Sequence, residues 1–152
     1  MKLRPEDRER LIRYVDFLET ELSDFPKFSN VSWKPYQQDR DLRRNLERWI
    51  ENIVNCSLDI AKVLLVVENR EIPSTYREAL RALGSMPYFS EEFGDAIAQW
   101  VSLRNILAHD YLDIRWKPIQ RFIQSAGPLY QELVERIKIL LKHDNDVSHE
   151  KR

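Results

Sequence analysis

LERWIENIVNCSLDIAKVL, residues 46–64, lies inside a stretch from Tyr36 to Asn69 that contains no proline or glycine. Within it Leu42, Leu46, Trp49, Ile50, Ile53, Ser57, Ile60, Leu64 and Val67 recur at steps of three and four, which puts them on one stripe of a helix. A strand would bring apolar residues to one face at every second position, and no run in the chain alternates that way. The stretch is therefore predicted to be the longest helix and the spine of an all-α fold.

The same periodicity extends outward in both directions. Upstream, Leu11, Tyr14, Val15, Leu18 and Leu22 predict an amphipathic helix over residues 5–24, with Pro5 tolerated in its first turn. FPKFSNVSWKP, residues 25–35, breaks the pattern with two prolines and reads as a loop. Downstream of Pro73, the Thr75 and Glu78 pair has capping-box spacing and Gly84 suits the position after a helix end, so residues 75–83 read as a short helix. Ser90 before Glu91 and Glu92 is a good N-cap, and Phe93, Ile97, Trp100, Val101 and Leu107 carry one continuous helix up to residue 109. After DYLDIRW, residues 110–116, Pro118 opens a last helix with Ile119, Phe122, Ile123, Tyr130, Leu133, Ile137 and Leu140 inward, kinked or split at Gly127-Pro128. Together these predict an antiparallel four-helix bundle with one extra short helix, a single domain over residues 1–142, and a disordered charged tail over residues 143–152.

Composition narrows the functional classes. The 24 Lys and Arg against 25 Asp and Glu leave a net charge of −1, so a general affinity for nucleic acid would have to come from a local patch. The N-terminus, MKLRPEDRER, has no apolar core of a secretory signal, and the longest apolar run, Val63 to Val67, is far too short to span a bilayer; a cytoplasmic protein that does not enter membranes is expected. Cys56 is the only cysteine and sits among Ile53, Leu58 and Ile60, which points to a buried thiol and excludes an internal disulfide. His143 and His149 do not have zinc-type spacing and no glycine-rich phosphate loop occurs, so neither a metal nor a cofactor is expected. Ser102 lacks the setting of a nucleophile elbow.

The chemistry-bearing stretch is LRNILAHDY, residues 103–111. Asn105 and His109 are four apart on a helix, close enough for the amide to fix the imidazole tautomer. Arg104 and His109 are five apart, about 140° around and about 7.5 Å along the axis, so one straight helix does not join them in a compact pair. Either the helix distorts near Asp110 or a second copy of the chain completes the site, and the lack of another core histidine favours the second. Metal-free RNA cleavage needs a base for the 2′-hydroxyl, an acid for the leaving 5′-oxygen and a cation for the charged phosphorane. Histidine can serve both proton roles near neutrality and arginine offers phosphate a rigid fork, so two Arg104–His109 pairs in a dimer cleft would supply every component. A histidine and an arginine at a helix end also describe a solvated cap, and spacing alone does not separate the two.

RNILAHDY, an arginine followed directly by a polar residue, then His109 and Tyr111, resembles the signature of the HEPN superfamily, specifically the HepT-like toxins of HEPN/MNT toxin–antitoxin systems. LERWIENIVNCSLDIAKVL is similar to that family's long helix, and IPSTYREALRALGSMP with FGDAIAQWVSLRN to its next segment, so the resemblance covers about residues 42 to 124. It implies an all-α homodimer acting as a metal-independent endoribonuclease toxin with RNA as substrate. It further implies that Arg104 and His109 are catalytic, that Asn105 supports them, and that an MNT-type nucleotidyltransferase antitoxin modifies Tyr111 with AMP. Asp59, a carboxylate in the apolar run CSLDIA, is a candidate to orient a cleft arginine. Arg115, Lys117 and Arg121 are candidates for a local phosphate-binding patch, and Trp33 and Trp116 for stacking or packing surfaces. The alternative is a HEPN-like helical dimer that binds a nucleotide or a nucleotidyltransferase partner without cutting RNA.

Overall fold

The computed structural model describes residues 2–109 and 116–150, the last four by backbone alone. Every regular element among the described residues is a helix, in the order α1 (Pro5–Leu22), α2 (Phe25–Ser29), α3 (Trp33–Gln38), α4 (Arg40–Val67), α5 (Tyr76–Arg81), a 3-10 turn (Ala82–Ser85), α6 (Glu91–Ala98), α7 (Val101–His109), α8 (Trp116–Ser125) and α9 (Gly127–Glu150). The spine is α4. Its buried residues include Leu46, Trp49, Ile50, Ile53, Ile60 and Leu64, six members of the predicted stripe. Each such side chain removed from water contributes roughly 1.5–3 kcal/mol before the entropy of ordering it is subtracted.

The first helix, α1, lies antiparallel along α4. Trp49 Nε1 donates to the Glu21 carbonyl at 2.7 Å, while one turn and more farther along α4 the Cys56 thiol donates to the Tyr14 carbonyl at 3.3 Å. Leu11, Val15, Leu18 and Leu22 face this seam, as their spacing predicts. Burial pushes the Cys56 thiol up to about 12, which keeps it protonated and inert.

Several boundaries differ from expectation for identifiable reasons. The segment after α1 is not a loop: Pro26 opens the short α2, and Phe28 and Tyr36 on α2 and α3 are buried. The start of α4 is set later than Tyr36 by Asp39, whose Oδ1 accepts from the backbone N–H of Asp41 and Leu42 at 3.0 and 3.1 Å. At its other end Asn69 takes φ 56°, and the N–H groups of Asn69 and Arg70 reach back to Val66 and Leu65 in a Schellman closure that needs no glycine. Gly84 is not a left-handed helix stop. It lies in the 3-10 turn, where a Cβ would stand 2.9 Å from the Glu91 backbone. A Cβ on Gly94 would likewise meet the Arg81 carbonyl at 2.7 Å, so α6 crosses the end of α5 at backbone contact.

The helix predicted over residues 91–109 is two helices. At the break Trp100 N–H bonds back only three residues, to Ile97 at 3.4 Å, and the Trp100 ring turns inward to meet Phe122 edge-on at 5.1 Å. The predicted split at Gly127-Pro128 occurs between α8 and α9. The expected disordered tail is corrected: α9 continues through residues 143–150. Asp144 explains this, being only 5% exposed. Its carboxylate accepts from Leu3 N–H at 2.9 Å and from Arg8 at 3.1 Å, so the last helix is bonded to the first.

Candidate functional site

The site forms where α7 passes α4 and the start of α5. Thr75 caps α5, its Oγ1 accepting from Glu78 N–H at 3.2 Å, and this fixes where Tyr76 leaves the backbone. Ser90 caps α6 in the same way at 3.1 Å, and α6 in turn delivers α7. The result is an open depression of about 560 Å³ lined by Ser74, Thr75, Tyr76, Arg104, Asn105 and His109. Among the described residues no acidic side chain lines it, and Arg104 is the fixed positive charge of that lining.

Arg104 is the best-held side chain there. Its Nε donates to Asn55 Oδ1 at 2.8 Å, its Nη1 donates to Asn105 Oδ1 at 3.3 Å, and its guanidinium carbon stands 5.3 Å from the centre of the Tyr76 ring. Lys62 brings its ammonium to the same ring at 5.2 Å. Arg77, next on α5, hydrogen-bonds the Ser102 hydroxyl on α7 and ties the two helices beside the pocket. His109 is exposed at the end of α7 and lines the same depression.

The sequence-predicted residues separate into three groups. Arg104, Asn105 and His109 meet in one pocket, although α7 is helical through His109 and no hydrogen bond joins Arg104 to the imidazole among the described residues. The expected Asn105–His109 contact is replaced by the one from Arg104 to the Asn105 oxygen. Asp59 stands elsewhere. It lines a groove of about 680 Å³ between α1 and α4 with Glu6, Glu9, Arg10 and Arg13, and the residue that reaches the arginine from α4 is Asn55, one turn earlier. Burial lifts the Asp59 carboxyl above its usual value, with Lys62 pulling it back only in part.

Lys117 and Arg121 are exposed on α8, but Arg121 lies against the flank of α7 that carries Ser102 and Ile106, in a crevice of about 150 Å³, rather than in the Arg104 pocket. Tyr111 and Arg115 lie outside the described residues. Trp116 packs on Tyr36 at 5.1 Å and on Trp33 at 6.2 Å, so both tryptophans join α8 to α3. Among the described residues no three His, Cys, Asp or Glu side chains converge as metal ligands, and no helix is long and apolar enough to cross a membrane.

Asn55 and Tyr76 were missed by motif reading. Asn52, Asn55, Asp59 and Lys62 form a polar stripe at helical spacing down one side of the apolar α4, which was the available signal for Asn55. Nothing local in sequence marks Tyr76, which becomes a site residue only through the packing of α5 against α4 and α7.

Residues 18–137 match the model of the family described as Ribonuclease HepT-like. The chain belongs to that family. A curated member, the tRNA nuclease HepT of Aphanizomenon flos-aquae, is 30% identical over 145 residues, covering 93% of this HepT-like chain and 94% of the relative. Among solved structures, the fold superposes on the cytosolic protein YutE of Bacillus subtilis, itself of unknown function, with a TM-score of 0.76, 20% identity and coverage of 91% and 92%. It also superposes on the tri-AMPylated HEPN toxin of Shewanella oneidensis, solved with its MNT antitoxin, with a TM-score of 0.75, 18% identity and coverage of 86% and 97%. These last two likenesses establish the HEPN-type helical fold expected from the sequence.

Proposed function

We propose that this HepT-like protein is a metal-independent endoribonuclease, the toxin of a toxin–antitoxin pair, acting on RNA of the tRNA class. The observation that carries the reading is the pocket in which a held Arg104 and an exposed His109 stand together, with no acidic side chain among the described residues of its lining. A phosphodiester is an anion, and a pocket that presents a guanidinium beside an imidazole suits it. The reaction is an in-line transesterification. His109 takes the 2′-hydroxyl proton as the 2′-oxygen attacks phosphorus, Arg104 neutralises the phosphorane, and a protonated imidazole gives its proton to the departing 5′-oxygen, leaving a 2′,3′-cyclic phosphate and a 5′-hydroxyl.

The pocket contains one histidine, whereas two proton transfers occur at opposite ends of the scissile unit. A twofold homodimer that sets two such pockets face to face supplies the second imidazole, and this is the reason to propose a dimer. Lys117, Arg121 and Arg115 then serve as outlying phosphate contacts on the approaching strand.

Regulation follows from Tyr111, two residues beyond His109. A nucleotidyltransferase antitoxin moves AMP from ATP to the tyrosine oxygen and releases pyrophosphate, adding a bulky phosphate diester where RNA must approach. The neighbour from Shewanella oneidensis, AMPylated and bound to such an antitoxin, supports this arrangement.

The deciding experiment is cleavage of tRNA and bulk RNA in EDTA by protein made without its partner, beside His109→Ala. Discrete products ending in cyclic phosphate from the wild type alone are expected. Equal cleavage by both proteins overturns the role of His109, and ATP or partner binding with no cleavage by unmodified protein assigns the chain instead to a non-catalytic dimer.

A further inference from the structure

We propose that Asn55 and Tyr76 are positioning residues for Arg104, a seat built by α4 and α5 rather than by the motif itself; the proposal rests on the ribonuclease reading of the same pocket. Asn55 is 49 residues from Arg104 in sequence, yet its Oδ1 accepts the Nε–H at 2.8 Å. Tyr76 comes from a third element and places its ring 5.3 Å from the guanidinium carbon. With the 3.3 Å bond to Asn105, contacts from α4, α5 and α7 restrain one side chain.

The chemistry of the seat suits its task. Of the five N–H donors of a guanidinium, the two asparagine bonds use one on Nε and one on Nη1, so donors remain on both terminal nitrogens for a pair of phosphate oxygens. Both hydrogen-bond acceptors are neutral amides. A carboxylate at either place would hold Arg104 as firmly but would cancel the charge that the phosphorane needs. The Tyr76 ring adds attraction without charge, since its electron-rich face favours a cation.

Tyr76 is 43% exposed, a large aromatic ring left at the surface, and packing does not account for it. Its place between two cations does. Lys62 stands 5.2 Å from the ring that Arg104 also faces, so the same ring offsets the repulsion of bringing both charges to one side chain. The carboxylate beside Lys62 is Asp59, three residues earlier on α4, and it lines the α1–α4 groove rather than this depression.

The test compares single-turnover rates and KM for a defined tRNA among wild type, Asn55→Ala, Tyr76→Leu, Tyr76→Phe and His109→Ala, with melting temperatures for each. Asn55→Ala and Tyr76→Leu are expected to lower the rate by about 10- to 100-fold with KM within about threefold, because a misaimed arginine fails in the transition state. Tyr76→Phe, which keeps the ring, is expected to restore most of what Tyr76→Leu loses. Wild-type rates in both Asn55→Ala and Tyr76→Leu overturn the proposal. So does a raised KM with an unaltered rate in Tyr76→Leu, which would make Tyr76 a platform for a base instead.

A second readout does not depend on cleavage. The ¹H–¹⁵N resonance of the Arg104 Nε–H should show slowed hydrogen exchange and a ring-current shift in wild type and Tyr76→Phe, with the shift lost in Tyr76→Leu and the protection lost in Asn55→Ala. An Arg104 signal identical in all four proteins removes the seat even if RNA is cut. A wild type that cuts no RNA, or a His109→Ala variant that cuts equally well, instead removes the ribonuclease reading.

Discussion

Around Trp49 the rings of Phe25, Phe28 and Phe122 crowd at centroid distances of 4.6, 4.7 and 5.8 Å, and Trp100 and Tyr130 extend the cluster through Phe122. Around Tyr76 the ring partners are Arg104 and Lys62. The first group is closed to water apart from Phe25 and joins α2, α4, α8 and α9; the second stands open at the surface. Buried rings gain from dispersion and water exclusion, so they hold elements together. An exposed ring gains little that way, and its face remains available to a cation. The same side-chain type thus packs a core in one region and faces cations in the other, and substitutions should separate the two.

Arg104→Lys gives the sharpest separation. Lysine keeps the charge but loses the fork and the Nε contact to Asn55, so RNA cleavage is expected to fall by about 100-fold or more while the melting temperature moves by no more than about 2 °C. Near wild-type rates in Arg104→Lys would show that a point charge suffices and that the seat has no purpose. Trp49→Ala is the converse. It removes the central ring of the buried group and the bond to the Glu21 carbonyl, and urea titration should show about 3–5 kcal/mol less stability. The fraction still folded is expected to cleave normally, and a lost rate per folded molecule would mean that the two regions are coupled.

Asp59→Asn is the smallest effect and sharpens the boundary between them. Because burial raises the Asp59 carboxyl in the folded protein, the folded state binds that proton more readily than the unfolded chain. Its contribution to stability is therefore most favourable below the unfolded value and diminishes as pH rises through the raised folded value. Melting curves should show Asp59→Asn gaining on the wild type as pH rises above the ordinary aspartate value of about 4. A wild type that gains on the variant as pH rises would indicate that Lys62 outweighs burial.

The sequence made the spine legible because α4 has a long stripe at regular spacing and no helix breaker, and the Arg104 and His109 pocket because the motif is local. The break between α6 and α7 was hidden because Trp100 fits a helical stripe as well as it fits the aromatic cluster that draws it inward. The order in α2 and α3 was hidden because two prolines look the same in a loop and in the first turns of short helices. Asn55 was within reach of a polar-stripe reading of α4. Tyr76 was not, since its role depends on three helices meeting, and tertiary contact leaves no mark on the residues beside it.

The bonds from Asp144 to Leu3 and Arg8 also have a meaning in time. Their partners lie 141 and 136 residues apart, so the α1 side of each bond waits while the intervening chain is made. The motif on α7 leaves the ribosome before α9 does, so Arg104 and His109 exist for an interval without the helix that bonds to Leu3 and Arg8. A nascent chain stopped before Asp144 leaves the Leu3 amide without its carboxylate and α1 without part of its support. Closure of the seam between α1 and α9 therefore waits for residue 144 to emerge.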